Sequence, residues 1–127
     1  MDVVTGLHQV AQHAGDLDRA IRFYRDILGA TFIARFDPPG LAFFDLAGTR
    51  LLLEARAPSA MLYLRVEDID AAYRTLSDRG VTFEEDPRPI YHDADGIFGR
   101  RGEEEWLAAF RDSEGNVVAL MSRRIAG

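Results

Sequence analysis

The stretch from Gly15 to Gly29 is written a second time further along the chain. Asp16 falls on Asp68, Leu17 on Ile69, Asp18 on Asp70, Ala20 on Ala72, Arg22 on Arg74 and Asp26 on Asp78, all at an offset of 52. Self-similarity at a fixed spacing marks a tandem supersecondary unit. Whatever the first half folds into, the second half is expected to repeat.

The first unit reads as βαβββ. Val3 to Ala14 carries β-branched and mixed residues without helical periodicity and ends at Gly15, which predicts a strand. Asp16 supplies an N-cap. Leu17, Ala20, Ile21, Tyr24 and Leu28 then form one apolar stripe at helical spacing, and Gly29 is placed to end the helix. Strands are predicted at Ala30 to Phe36, Leu41 to Leu46 and Thr49 to Ala55, separated by turns at Asp37-Pro38-Pro39-Gly40 and Ala47-Gly48.

Unit two restarts at Met61, where alternation puts Leu62, Leu64 and Val66 on one face and Met61, Tyr63 and Arg65 on the other. Its helix follows Asp68, presents Ile69, Ala72, Tyr73 and Leu76, and ends at Gly80. Further on, Phe110 to Gly115 matches Phe43 to Gly48 at an offset of 67. The difference, 67 − 52 = 15, is extra chain, and it falls between Glu84 and Glu105 among Pro87, Pro89, Gly96, Gly99 and Gly102. Such an insertion is a lid over a site or a surface loop, and Ile90, Tyr91, Ile97 and Phe98 would anchor it; we put the lid first. The expectation is one domain over 1–127, with unit one at about 3–56, unit two at about 60–124 and the insertion at about 84–105.

Composition narrows the function. The chain has no cysteine, which excludes disulfides, thiolate metal sites and a cysteine nucleophile. Its formal charge of −6 argues against binding a phosphate backbone, so no nucleic-acid partner is expected, and a neutral or cationic small molecule is the easier ligand. No stretch approaches the roughly 20 apolar residues needed to cross a bilayer, and no basic segment precedes an apolar run at the N-terminus. No membrane partner and a cytoplasmic location are therefore expected.

Two βαβββ units, the run from Asp16 to Gly29 and the run Asp112-Ser113-Glu114-Gly115-Asn116 resemble the vicinal oxygen chelate superfamily. That group includes glyoxalase I, methylmalonyl-CoA epimerase, extradiol dioxygenases, and the fosfomycin and bleomycin resistance proteins. The likeness spans nearly the whole chain. It implies an α+β, glyoxalase-like fold in which two tandem units form curved mixed sheets around a cavity, with helices outside. One such fold hosts several chemistries, so activity must be argued from the site.

Enzymes of the family hold a divalent metal in the cavity. The resemblance places its ligands seven residues before each helix-starting aspartate and four after each turn glycine. Here those positions are Gln9, Met61, Leu52 and Ala119. Leucine and alanine cannot coordinate a hard cation, and a thioether is a poor ligand for one. Glu54 lies two residues beyond Leu52 on the same strand face, and His13 shares the row of Gln9, so a metal, if present, would use Gln9, His13 and Glu54.

Glu54 is the sharpest single residue, since it ends the apolar run Leu51-Leu52-Leu53. An inward carboxylate must be hydrogen-bonded, paired or titrated upward. It would serve as a catalytic base next to a carbonyl, as a group holding a cationic ligand, or as a strand end emerging into solvent. His8 points away from Gln9 and is expected on the helix side. His92, between Tyr91 and Asp93, reads as a solvated surface residue.

The runs Glu105 to Leu120 and Tyr63 to Ile69 resemble bleomycin-type resistance proteins. Those proteins are acidic and bind a drug without chemistry in a groove completed by a second subunit. This resemblance implies a homodimer and places Trp106 in the groove, although a lone tryptophan is more often core. The reading is a protein that binds or sequesters a small organic ligand without the usual metal site, on Gln9, His13, Glu54, Met61, Tyr63, Arg65, Trp106, Ala119 and Met121. The rival is a lyase, isomerase or dioxygenase of the same superfamily, using a divalent metal or Glu54 alone. A filled, inactive scaffold is the third option.

Overall fold

The structure, a computed structural model, describes residues 3–126. Its elements run β1 (Gln9–His13), α1 (Leu17–Arg22), β2 (Thr31–Phe36), β3 (Leu41–Leu46), β4 (Thr49–Glu54), β5 (Leu62–Arg65), α2 (Ile69–Asp78), β6 (Phe83–Asp93), β7 (Glu103–Arg111) and β8 (Val117–Ile125). The chain divides into two compact units. The first runs to Ala60 and includes the turn Asp112–Asn116; the second holds Met61–Arg111 and the chain from Val117 on. Each unit is a four-stranded mixed sheet with one helix, the two βαβββ units of a glyoxalase-like fold.

In unit one the strand order is β1-β4-β3-β2, with β1 parallel to β4 and the rest antiparallel. β1 is shorter than the predicted strand because its partner β4 begins only at Thr49, which leaves Val3 and Val4 exposed. Alternation divides the sheet cleanly. Gln12, Ala42, Phe44, Leu51 and Leu53 are fully buried on the face that α1 covers with Ala20, Ile21 and Tyr24.

Asp16 caps α1 by accepting from Arg19 N at 3.1 Å. The helix does not run regularly to Leu28: Phe23–Ile27 is a π-helical turn, closed by Leu28 N donating to Phe23 O at 3.0 Å. The wider turn lets consecutive side chains diverge less, and Phe23 and Tyr24 are both buried. Gly29 leaves it at a φ of +75°.

Unit two repeats the plan with order β5-β8-β7-β6. Asp68 caps α2 through Ala71 N at 3.1 Å, and α2 packs on the face carrying Phe83 and Phe110. The sequence offsets reappear as strand register. Ala11 pairs with Leu52 and His13 with Glu54 in unit one; Tyr63 pairs with Ala119 and Arg65 with Met121 in unit two.

The insertion is strand rather than loop. Most of it extends β6 and β7 into a long hairpin that leaves only residues 94–102 as a connection. Alternation was hidden by register shifts along β6 and by Pro87 and Pro89, which an edge strand tolerates because its outward N–H positions need no partner. Asp93 organises the connection: Oδ1 accepts from Ile97 N at 2.7 Å, and Oδ2 from Phe98 N at 3.1 Å and Arg123 Nη2 at 2.7 Å. Among the described residues no helix is long and apolar enough to cross a membrane.

Candidate functional site

The helix-free face of each sheet carries the polar groups that burial does not explain. In unit one the register puts Gln9, Ala11 and His13 of β1 beside Arg50, Leu52 and Glu54 of β4, with Phe43 of β3 next in the row. Arg50 was missed in the sequence, although alternation alone places it on the face of Leu52. Its Nε donates to Gln9 Oε1 at 3.0 Å, and its guanidinium stands 5.7 Å from the Phe43 ring centroid. Arg50 also approaches His8 Nε2 at 3.4 Å; His8 is exposed just before β1 rather than packed on the helix side.

His13 and Glu54 are half-buried neighbours across the parallel β1–β4 pair. The His13 ring donates from Nδ1 to Ala55 O at 3.1 Å, which fixes the orientation of the imidazole. The Glu54 backbone carbonyl accepts from Ala14 N at 3.0 Å, while its side chain has no hydrogen-bonded or ionic partner among the described residues. A carboxyl group at the end of three buried leucines, whose oxygens make no hydrogen bond within the described residues, can accept from a ligand donor.

The backbone under this row is fixed by residues whose role the sequence hid. Gln12, fully buried on the other face, donates to Ala60 O at 2.8 Å and accepts from Ala60 N at 2.7 Å. Asn116 Nδ2 donates to His13 O at 2.8 Å and to Asp112 Oδ2 at 2.9 Å. Glu114 accepts from Asp16 N at 2.8 Å and from Arg19 Nε at 2.8 Å. The turn at Asp112–Asn116 is thus the clamp that holds the end of β1 and the start of α1. Its sequence was legible as a turn, but its partners were not.

In unit two the helix-free row holds Tyr63 and Arg65 of β5, Ala119 and Met121 of β8, and Leu107 and Ala109 of β7. Tyr63 is 58% exposed and Met61, just before β5, 44%. Met121 packs against the buried patch of Leu107, Ala109 and Ala119. Trp106 does not belong to this row. It pairs with Ser122, one step out of phase with Leu107, and so faces the helix side, where the Arg124 guanidinium lies 3.4 Å from its ring centroid. Strand alternation overrules its expected place in a groove.

Residues 6–120 match the family described as the glyoxalase/bleomycin resistance protein/dioxygenase superfamily. The chain belongs to this superfamily. Its solved relatives include a superfamily member from Sphaerobacter thermophilus DSM 20745, 26% identical over 94% of this chain and 98% of that one, with a TM-score of 0.73. TnmS3, an antibiotic binding protein from Streptomyces sp. CB03234, is 23% identical over 98% and 100%, with a TM-score of 0.74. A lactoylglutathione lyase from Agrobacterium tumefaciens is 22% identical over 94% of each chain, with a TM-score of 0.71. No curated protein matches significantly. At these last two identities the likeness is one of fold.

The residues of this superfamily member do not fit the divalent metal its enzymes use. Of the four ligand positions, Leu52, Met61 and Ala119 offer no hard donor, and the Gln9 oxygen is engaged by Arg50. The substitute set fails on distance, since Gln9 and His13 are four residues apart on one strand, about 13 Å along it. Among the described residues no group of three or more His, Cys, Asp or Glu side chains is arranged to hold an ion.

Proposed function

We propose that this protein binds a small organic molecule on a helix-free sheet face and does so without a metal centre. The observation that carries the reading is the donor set: the family's ligand positions are occupied by Leu52, Met61, Ala119 and an engaged Gln9. What remains on the helix-free faces is binding chemistry. Glu54 and the −6 net charge favour a cationic or neutral ligand, and Phe43, Tyr63 and Met121 provide aromatic and thioether surface for an apolar body. His13, Arg65 and Met61 complete the proposed contact residues, and Ala119, fully buried, supports Met121 beneath them. A homodimer, implied by the resemblance to bleomycin-type proteins, is part of the proposal and is checked by light scattering. So is a cytoplasmic location, checked by fractionation of the source cell.

The test is a thermal-shift screen of cationic aromatic compounds on protein purified without affinity-tag metals, with metal content measured in parallel. Ligand stabilisation that disappears in Tyr63→Ala, in protein free of stoichiometric metal, is the expected result. Stoichiometric metal lost in Glu54→Ala would overturn it.

A second reading rests on one observation, the Glu54 side chain beside His13 with no partner among the described residues. We infer that this pair would act as a metal-free general base for removing a proton next to a carbonyl, as in a lyase or isomerase. Turnover of a carbonyl substrate with solvent-deuterium exchange, abolished in Glu54→Gln, would establish it. Ligand binding with no exchange would dismiss it.

A further inference from the structure

On the opposite side of unit one, between α1 and the edge strand β2, lies a cavity of about 340 Å³ lined by Asp18, Ile21, Arg22, Arg25, Phe32 and Arg35. Two irregularities build it. β2 bulges between Phe32 and Ala34, so that Phe32 pairs with Phe44 and Arg35 with Ala42, and both side chains fall on the helix-bearing face although they are three residues apart. Without the bulge, strict alternation would turn Arg35 away. Asp18, Ile21, Arg22 and Arg25 form one stripe down the helix, and the π-helical turn begins inside it at Phe23. Bulges and π turns are both over-represented at functional sites.

The lining holds three guanidiniums, Arg22, Arg25 and Arg35, and one carboxylate, Asp18. Arg35 is held by Asp18 and, at 2.6 Å, by Asp37, while Arg25 grips Asp26 at 2.7 and 3.0 Å. These pairs orient the two side chains and leave Arg25 Nη1 and Arg35 Nη2 without a hydrogen bond among the described residues. The Arg22 guanidinium makes no hydrogen bond or ion pair among the described residues and meets Asp18 and Asp26 only at longer range. The floor is apolar. Ile21 is 6% exposed, and Phe32 is fixed edge-on against Phe44 at 5.5 Å between centroids.

We propose that this cavity is a second binding site, for a small organic oxyanion: a carboxylate or phosphate monoester carried on an apolar body. Guanidiniums with spare N–H donors match either head group bidentately. Ile21 and Phe32 take the apolar body. The volume lies at the lower end of small-molecule pockets, which run from roughly 300 to 1,000 Å³. The site shares no residue with the helix-free face and does not depend on what binds there.

The experiment is a nitrogen–proton NMR titration of the full chain with phenyl phosphate, phenylacetate and inorganic phosphate. Saturable shifts at millimolar concentration, confined to the amides of Ile21–Arg25 and Thr31–Arg35, are expected with one or both aromatic anions. Inorganic phosphate, lacking the ring, should bind at least about tenfold more weakly. Arg22→Ala, an exposed helix position whose folding the same spectrum verifies, should weaken binding about tenfold, while Arg88→Ala in unit two should not. The proposal is overturned if neither aromatic anion saturates, if Arg22→Ala and Arg88→Ala weaken binding equally, or if the shifts fall on β1 and β4 instead.

Discussion

Tyr24 donates its phenolic hydrogen to Asp112 Oδ2 across 2.6 Å in the interior of unit one. Asp112 also accepts from the backbone of Glu114 and Asn116, each at 2.9 Å, so the carboxylate is the hub of the clamp beneath His13. Burial pushes the Tyr24 hydroxyl well above its usual range and the Asp112 charge pushes it further, so it remains a donor at any working pH. Tyr24→Phe keeps the ring packing against Phe44 but deletes one donor to a buried carboxylate. A loss of about 1–3 kcal/mol is expected, read from urea denaturation. No change in midpoint would show that the clamp does not depend on this bond.

Glu114 makes the same clamp pH-sensitive. Its side chain is 1% exposed, and burial acts to raise its pKa. Arg19, Asp16 N and the Ser113 hydroxyl outweigh burial and hold it at about 2, against an ordinary 4.5. A carboxyl with a depressed folded pKa stabilises the fold above its unfolded value and loses that contribution as pH falls toward the folded one. Stability should therefore decline between about pH 4.5 and about pH 2. Glu114→Gln should cost about 2 kcal/mol at neutral pH, discounted because Arg19 is half exposed, and much less near pH 2. Denaturation midpoints followed across pH for both proteins test this; parallel curves would count against it.

The same residues show how far sequence reasoning reached. Local rules sufficed where the cause is local. Asp16 and Asp68 cap their helices, Gly29 and Gly80 follow them at positive φ, and β3 runs from Leu41 to Leu46 between the turns that bound it. Failures came where the cause lies across the fold. The Arg50–Gln9 bond depends on the parallel β1–β4 register, Trp106 faces the helix because of its phase in β7, and Gln12 is buried because Ala60 satisfies it. The bulge at Ile33, the π turn and the long β6–β7 hairpin each break a simple period, and period was the signal in use. Counting to the family's ligand positions needed only the sequence; which of their atoms are already engaged needed the structure.

The connection between β6 and β7 should be intolerant at one glycine and forgiving at another. Gly96 has a φ of +69°, and a Cβ there would meet Gly99 O at 2.9 Å and Arg101 N at 3.2 Å, both backbone atoms that cannot swing away. Gly102 has a φ of +86° but open space around it. Gly102→Ala should cost only the backbone strain, about 1 kcal/mol, and Gly96→Ala should cost about 2–4 kcal/mol with faster proteolytic cutting within residues 94–102. Equal costs would mean that the turn around Asp93 rearranges freely.

Trp106 is the sole tryptophan and reports on the helix side of unit two. Arg124 covers its ring at 3.4 Å while donating to Asp70 Oδ2 at 2.7 Å, which ties α2 to β8 over the indole. Arg124→Ala removes both contacts. Since the ion pair is about 40% exposed, the cost should be only about 1 kcal/mol, but the uncovered indole should emit at longer wavelength. A ligand held on the helix-free face lies across the sheet from this indole. A compound that raises the melting temperature through Tyr63 should therefore leave Trp106 emission unchanged. Strong quenching by such a compound, lost in Arg124→Ala, would place the ligand on the helix side and move the binding face away from Tyr63.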